Sequence, residues 1–262
     1  MSSEPLTSIS RRQFLAAAGC LPLALGVACG NVAEPEPQEP GRLRLAPRGP
    51  TRGTLLGTDV VYGEDYRRAY IRVPQSYSPA RPAPLIIALH GNGGRGDTMA
   101  AAFGSRTDAL GAVVLAPDSL SVTWDAIEGD FGGDVAFINE VLDQTFDRCN
   151  IDAGRVALIG FSDGASYALS LGISNGDRLA GVVGFSPGFY EVDHPHGTPT
   201  FFISHGTLDG VLAIDAASRA IVPALRARGS AVTYVEFEGG HSVPESVADQ
   251  AMAWLEGRGF TS

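Results

Sequence analysis

Three residues of complementary chemistry stand in order along this chain: Ser162, Asp209 and His241. Ser162 is the central residue of a Gly-Phe-Ser-Asp-Gly segment, and Asp209 and His241 each follow an apolar run and a glycine. A serine hydroxyl becomes a strong nucleophile when a histidine takes its proton and a carboxylate orients that histidine. The residue types therefore predict attack by Ser162, with His241 as general base and acid and Asp209 as its partner.

The local sequence around Ser162 favours this interpretation. Residues 155–159 are apolar and β-branched, as in a buried strand, and residues 165–171 have the character of a helix. A strand that turns at once into a helix holds its middle residue on a strained bend, where flanking glycines avoid a clash. The alternative, for the five-residue pattern alone, is an ordinary turn of small residues.

A second glycine-rich segment supplies candidate hydrogen-bond donors. Residues 90–94, His-Gly-Asn-Gly-Gly, follow an apolar run at 84–89. Backbone N–H groups in such a loop can stabilise the oxyanion of an acyl-transfer reaction, together with the N–H after the nucleophile. We assign these donors to Asn92 and Asp163, with Gly93 as the alternative to Asn92. A merely flexible loop is the other interpretation of the glycines, and His90 is expected to be structural.

The elements that must position these residues alternate along the chain. Strands are predicted at 57–62, 67–73, 84–89, 112–116, 155–159, 179–185, 200–204 and 232–237. Helices are predicted at 97–110, 133–146, from 165, at 214–228 and at 243–255, with Asp97 and Asp215 as N-caps of the first and fourth. This alternation predicts an α/β fold: a mostly parallel sheet of about eight strands, an antiparallel first pair and helices on both faces. Ligands bind such sheets beyond the carboxyl ends of the strands, where the three residues fall.

The N-terminal region has the features of an export signal. Arg11 and Arg12 precede an apolar stretch that ends near Val27, which resembles a bacterial twin-arginine signal. Cys29 stands where a lipoprotein would be processed and acylated, and plain cleavage near residues 28–33 is the alternative. We therefore predict a leader at 1–30, a disordered proline-rich linker at 31–52 and a catalytic domain at 53–262. The protein would be exported from a bacterial cytoplasm and be periplasmic, membrane-anchored or secreted.

Composition limits the number of cores, the kinds of binding partner and the role of the single thiol outside the leader. The chain has 262 residues, 44% of them hydrophobic, so it can bury one large core or two small ones. A net charge of −10 gives no electrostatic support to a nucleic-acid partner. Cys149 is the one thiol outside the leader, and it is expected to be buried and inert.

Longer motifs carry a resemblance to a known family. The segments 160–170, 205–209 and 240–244 together resemble the phospholipase/carboxylesterase group of α/β-hydrolases. Residues 124–125 and 134–138 also resemble the polyhydroxybutyrate depolymerase and feruloyl esterase branch. The resemblance covers about residues 54–258. It implies a serine esterase without metal or organic cofactor, acting on a small-molecule or polymeric ester. The Asn-Gly-Gly at 92–94 departs from the bulkier residue common in those branches.

Several further residues are candidates for substrate contact. We expect Trp124, Phe189 and Tyr190 to line the pocket, although a core position for Trp124 is equally compatible with the sequence. The segment 193–196, Asp-His-Pro-His, has no third ligand nearby, so we predict no metal there. The loop between the strands at 179–185 and 200–204 is too short for a large lid.

Two classes of function remain open from the sequence. The first is a serine esterase, within which carboxylesterase, thioesterase, feruloyl esterase and polyester depolymerase are not separated. The second is a non-catalytic surface protein built on a hydrolase scaffold.

Overall fold

The computed structural model describes residues 39–192 and 194–261. Its strands are β1 Gly57–Tyr62, β2 Arg68–Val73, β3 Ala83–Leu89, β4 Val113–Pro117, β5 Ile151–Phe161, β6 Gly181–Phe185, β7 Phe201–Gly206 and β8 Val232–Phe237. Its helices are α1 Gly96–Ala109, α2 Asp125–Glu128, α3 Gly133–Arg148, α4 Asp163–Ser174, α5 Ser218–Ala227 and α6 Glu245–Glu256.

The strands form one eight-stranded sheet in the order β1-β2-β4-β3-β5-β6-β7-β8. The pairs β1–β2 and β2–β4 are antiparallel, and all the others are parallel. Every residue of β3, β4 and β6 is buried, as expected of parallel strands covered on both faces. The predicted fold class is confirmed.

Each face of the sheet has its own hydrophobic core. On one face, α1 and α6 pack over the sheet around Phe103, Phe185 and Phe202. On the other, α2, α3, α4 and α5 enclose a larger core that includes Trp124 and Tyr167. Ser162 lies at the end of the central strand β5, so the edge that carries it is bordered by side chains from both cores.

Two predicted helix starts are wrong. The N-cap of α1 is Arg95, not Asp97, and the N–H of Gly96 donates to Asp118 Oδ1 at 2.7 Å. This carboxylate comes from the end of β4 and satisfies an N-terminal N–H of α1 that has no partner within the helix. Asp215 does not cap α5, whose N-cap is Ala217. A separate turn over residues 214–217 precedes the helix.

The packed domain starts before the predicted residue 53. Leu43 is fully buried, and its N–H donates to Asn175 Oδ1 at 2.9 Å. Arg42 forms an ion pair with Asp177 at 2.7 Å. These contacts attach the segment to the C-terminal end of α4, because an apolar residue at position 43 is buried more favourably than left in water. The prediction of a disordered linker up to residue 52 is therefore wrong for residues 41–44.

The leader, with its twin arginines and Cys29, lies outside the described residues. Within residues 39–192 and 194–261, no helix has the length and apolar character needed to cross a membrane.

Candidate active site

The backbone holds Ser162 on a strained turn between β5 and α4. Its φ of 57° and ψ of −122° are unusual for a residue with a side chain. A Cβ on Gly160 would lie 2.0 Å from the carbonyl oxygen of Gly164, and a Cβ on Gly164 would lie 2.2 Å from that of Leu89. Both glycines are therefore sterically required, which explains why the sequence places them on either side of the serine.

The three predicted residues converge at this turn. His241 Nε2 lies 2.8 Å from Ser162 Oγ, and His241 Nδ1 lies 2.7 Å from Asp209 Oδ2. Both distances are those of good hydrogen bonds. Ser162 is 8% exposed and Asp209 7% exposed, so solvent competes little for these contacts. The arrangement lets the histidine accept a proton from the serine while the carboxylate fixes its ring.

The carboxylate of Asp209 is held from several sides. Its Oδ1 accepts backbone hydrogen bonds from Val211 at 2.9 Å and Leu212 at 2.8 Å. Burial alone would raise the pKa of Asp209, but the hydrogen bonds from His241 and from these two N–H groups outweigh it and lower that pKa below its ordinary value. Asp209 is therefore ionised at neutral pH and can stabilise a protonated His241.

His205 is a supporting residue that sequence reasoning did not single out. Its buried ring contacts the carbonyl oxygen of Leu212 through Nε2 at 2.8 Å and Ser218 Oγ through Nδ1 at 2.7 Å. Because a carbonyl only accepts, Nε2 carries the proton, and it also lies 3.3 Å from Asp209 Oδ2. His205 thus fixes the turn that presents Asp209. The His-Gly-Thr-Leu-Asp motif contains it, but the motif does not reveal this contact.

Two backbone N–H groups are free to meet an oxyanion. Within the described residues, the N–H groups of Asn92 and Asp163 have no hydrogen-bond acceptor. The Asn92 side chain donates to Asp163 Oδ2 at 3.2 Å, which ties the two loops together. Gly93 is excluded as the alternative donor, since its N–H already donates to the carbonyl of Val122 at 2.8 Å.

A buried layer supports the loop that carries Asn92. His90 Nε2 accepts a hydrogen bond from the Ser119 N–H at 3.0 Å, so Nδ1 carries the proton and donates to the Gly91 carbonyl at 2.8 Å. Burial lowers the pKa of His90, which keeps it neutral. Trp124 is fully buried and donates from Nε1 to the His90 carbonyl at 2.8 Å. The prediction that Trp124 lines the pocket is therefore wrong, because its indole has no surface to offer a substrate.

A buried carboxylate organises the segment that carries Trp124. Asp134 accepts hydrogen bonds from the N–H of Leu120 at 2.6 Å, the N–H of Asp125 at 2.7 Å and the guanidinium of Arg67 at 2.8 Å. Burial raises the pKa of Asp134. Sequence reasoning missed this function, because Asp134 has the pattern of an ordinary acidic residue in the first turn of a helix.

Within the described residues, the other candidates singled out from the sequence do not take part in the hydrogen bonds around Ser162, His241 and Asp209. Phe189 and Tyr190 are half-buried and line a shallow groove of about 240 Å³ against α5, so their contact with a substrate stays a prediction. His196 pairs with Glu39 at 2.7 Å. Across the described ranges, no three His, Cys, Asp or Glu side chains lie close enough together to hold a metal ion.

Comparison with known proteins gives a family match over the second half of the chain. A family model described as Phospholipase/Carboxylesterase matches residues 118–256, just over half of the sequence. Feruloyl esterase C of Emericella nidulans is 28% identical over 167 residues, which cover 61% of this chain and 60% of that protein. The chain thus spans about 60% of the length of this curated relative.

Solved structures share the fold. A carboxylesterase from Bacillus cereus superposes with a TM-score of 0.59 at 22% identity, over 74% of this chain and 96% of that one. A CE1 ferulic acid esterase from Anaeromyces mucronatus, solved in complex with ferulic acid, superposes with a TM-score of 0.59 at 17% identity. That match covers 81% of this chain and 93% of the other.

Proposed function

The chain belongs to the phospholipase/carboxylesterase family of α/β-hydrolases, and we propose that it is a carboxylic-ester hydrolase that acts through an acyl-enzyme on Ser162. The observation that carries the proposal is the continuous hydrogen-bonded series from Ser162 Oγ through His241 to Asp209, at 2.8 and 2.7 Å. A non-catalytic protein on the same scaffold would have no reason to keep all three groups aligned.

In the proposed reaction, Ser162 Oγ attacks the ester carbonyl carbon while its proton passes to His241 Nε2. The carbonyl oxygen becomes an oxyanion, which the N–H groups of Asn92 and Asp163 stabilise together with the N-terminus of α4. His241 then gives the proton to the alcohol oxygen as the carbon–oxygen bond breaks. In the second half of the cycle, a water molecule attacks the acyl carbon while His241 takes its proton. His241 then gives that proton to Ser162 Oγ as the bond between this oxygen and the acyl carbon breaks and the acid leaves.

The curated relatives named feruloyl esterases make a feruloyl ester the first substrate to test. A thioester or a polyester would undergo the same attack by Ser162, so thioesterase and polyester depolymerase activity are the alternatives.

The proposal is tested with p-nitrophenyl esters of rising chain length, methyl ferulate and a polyester film. Ser162→Ala should lower kcat on the best of these by about 10³-fold or more, leaving the contribution of the oxyanion donors and of binding. Ser105→Ala, an exposed serine on α1, is the matched control and should keep wild-type turnover. Hydrolysis by Ser162→Ala at the wild-type rate would contradict the proposal.

We further propose that residues 1–30 direct export and that Cys29 receives a lipid. The support is the sequence alone: the twin arginines, the apolar stretch and the small residues before Cys29. In bacterial cells, the mature protein should fractionate with membranes, and Cys29→Ser should prevent this. Soluble protein with an unmodified N-terminus near residue 31 would instead indicate plain cleavage.

A further inference from the structure

A groove lies between α1 and α6, on the face of the sheet opposite the loop that supports Asn92. It has a volume of about 270 Å³. Its apolar lining comes from Met99, Ala102, Phe103, Phe161, Val243 and Ala248. No step of the mechanism proposed above uses this groove.

Two lining residues join the groove to the catalytic histidine. Phe161 directly precedes Ser162, and its ring centroid lies 4.8 Å from that of His241. Val243 follows His241 by two residues and also lines the groove. The groove therefore borders the histidine side of the nucleophile.

In ester cleavage, the carbonyl oxygen and the alcohol oxygen of the substrate must lie on different sides of Ser162. The carbonyl oxygen must face the N–H groups of Asn92 and Asp163, which lie on the side of Thr123, since Asp163 accepts the Thr123 hydroxyl at 2.6 Å. The alcohol oxygen must face His241, because that residue protonates it as it leaves. The alcohol part of the substrate thus extends toward the groove lined by Phe161 and Val243.

The volume and the charge of the groove indicate which alcohol groups it can bind. An engineered cavity of about 150 Å³ holds benzene, so 270 Å³ accepts a phenyl or hexyl group. Arg106, which also lines the groove, is already paired with Asp249 at 2.7 Å and with Glu245 at 3.4 Å, so its charge is partly neutralised. Resting on the proposed function, we infer that the α1–α6 groove is the leaving-group subsite and selects esters of apolar alcohols.

The test varies the alcohol while the acyl group stays constant. Methyl, hexyl and benzyl acetate all give the same acetyl-enzyme, so differences in kcat/KM between them come from the alcohol part of the ester. Comparing a variant with wild type cancels the intrinsic reactivity of each ester and leaves the effect of the alcohol site. Ala102 is exposed and lines the groove, whereas Ala101, the preceding residue of α1, is also exposed but does not line it. Ala102→Trp and Ala101→Trp therefore form a matched pair with equal helix propensity.

The inference predicts that wild type prefers hexyl and benzyl acetate to methyl acetate. In Ala102→Trp, the ratio of kcat/KM for benzyl over methyl acetate should fall at least tenfold, and in Ala101→Trp it should stay within twofold. Ala102→Leu should give a smaller fall, which keeps the test usable if the tryptophan variant folds poorly.

Two results would overturn the inference. One is an unchanged benzyl-to-methyl ratio in a folded Ala102→Trp protein. The other is a change that appears only among methyl esters of longer acids, which would make the groove an acyl site. Failure of the proposed function is recognisable separately, because wild type would then hydrolyse neither these acetates nor the p-nitrophenyl esters, methyl ferulate and polyester film named above.

Discussion

Replacing Asp209 with asparagine tests whether Asp209 determines which ring nitrogen of His241 carries the proton. An amide has one oxygen and one NH₂ group, so it can satisfy only one side of the present arrangement. The N–H groups of Val211 and Leu212 both donate to Oδ1, whereas Oδ2 accepts from His241. If the amide oxygen takes the Oδ1 position, the NH₂ group faces His241 Nδ1.

Hydrogen-bond energies favour the orientation in which the amide oxygen takes the Oδ1 position. Turning the amide would leave the two backbone N–H groups unsatisfied, at about 1–3 kcal/mol each. With NH₂ toward Nδ1, His241 must carry its proton on Nε2, where it points at Ser162 and cannot act as a base. The same substitution in a serine protease lowers kcat about 10⁴-fold, equivalent to about 5.5 kcal/mol at 1.36 kcal/mol per tenfold change. We expect a loss of that order for Asp209→Asn.

The assay is kcat for p-nitrophenyl acetate, with thermal unfolding measured in parallel to establish that the variant folds. Asp215→Asn is the control, because Asp215 is exposed and pairs only with Arg219 at 2.8 Å among the described contacts. It should retain wild-type kcat. A folded Asp209→Asn enzyme with more than a tenth of wild-type kcat, or an equal loss in Asp215→Asn, would show that Asp209 does not orient His241.

Further measurements test the packing of Leu43, the burial of Cys149, the ionisation of Asp209 and the access of substrate to the site. Leu43→Ala should lower the free energy of unfolding in urea by about 2–5 kcal/mol, because Leu43 is fully buried. A change below about 0.5 kcal/mol, which is typical of a surface substitution, would contradict the packing of that segment. Burial raises the pKa of Cys149 to about 12, so peptide mapping should find it unmodified by iodoacetamide at pH 8 until the protein is unfolded. Because the pKa of Asp209 is lowered on folding, its stabilising effect is present above the ordinary Asp pKa of about 3.9 and is lost as the pH falls through its lower folded value. The difference in unfolding free energy between wild type and Asp209→Asn should accordingly shrink below pH 4, and a constant difference would argue against it. The segment 186–199 forms no helix in its described part, so activity on short esters should show no jump when the substrate exceeds its solubility, and a sharp rise at the interface would contradict a lidless site.

The elements of the sheet and the convergence of the three polar residues follow from local patterns. Apolar runs define β3 to β8, and parallel strands bring their carboxyl ends to one edge. Ser162, Asp209 and His241 each follow such a strand, so their proximity was predictable without any knowledge of side-chain contacts.

Features that depend on contacts between distant segments were not predictable. Asp118 satisfies the first N–H of α1 from the end of β4, which displaced the expected cap at Asp97. Leu43 is a single apolar residue in a polar stretch and gives no periodic signal, yet it is fully buried. Trp124 and His205 lie in or next to the motifs of the site, and only their contacts show what they do. Trp124 supports the loop that carries Asn92, and His205 fixes the turn that presents Asp209.

If Ser162 is the nucleophile that forms the acyl-enzyme, a fluorophosphonate should react with its Oγ, and intact mass spectrometry detects the resulting phosphonyl adduct. We expect a single adduct on the wild-type protein, located on Ser162 by peptide mapping, and no adduct on Ser162→Ala. Pre-treatment with a substrate ester should slow the labelling, because ester and probe compete for the same oxygen. A wild-type protein that remains unlabelled, or an adduct that persists in Ser162→Ala, would show that Ser162 is not the nucleophile.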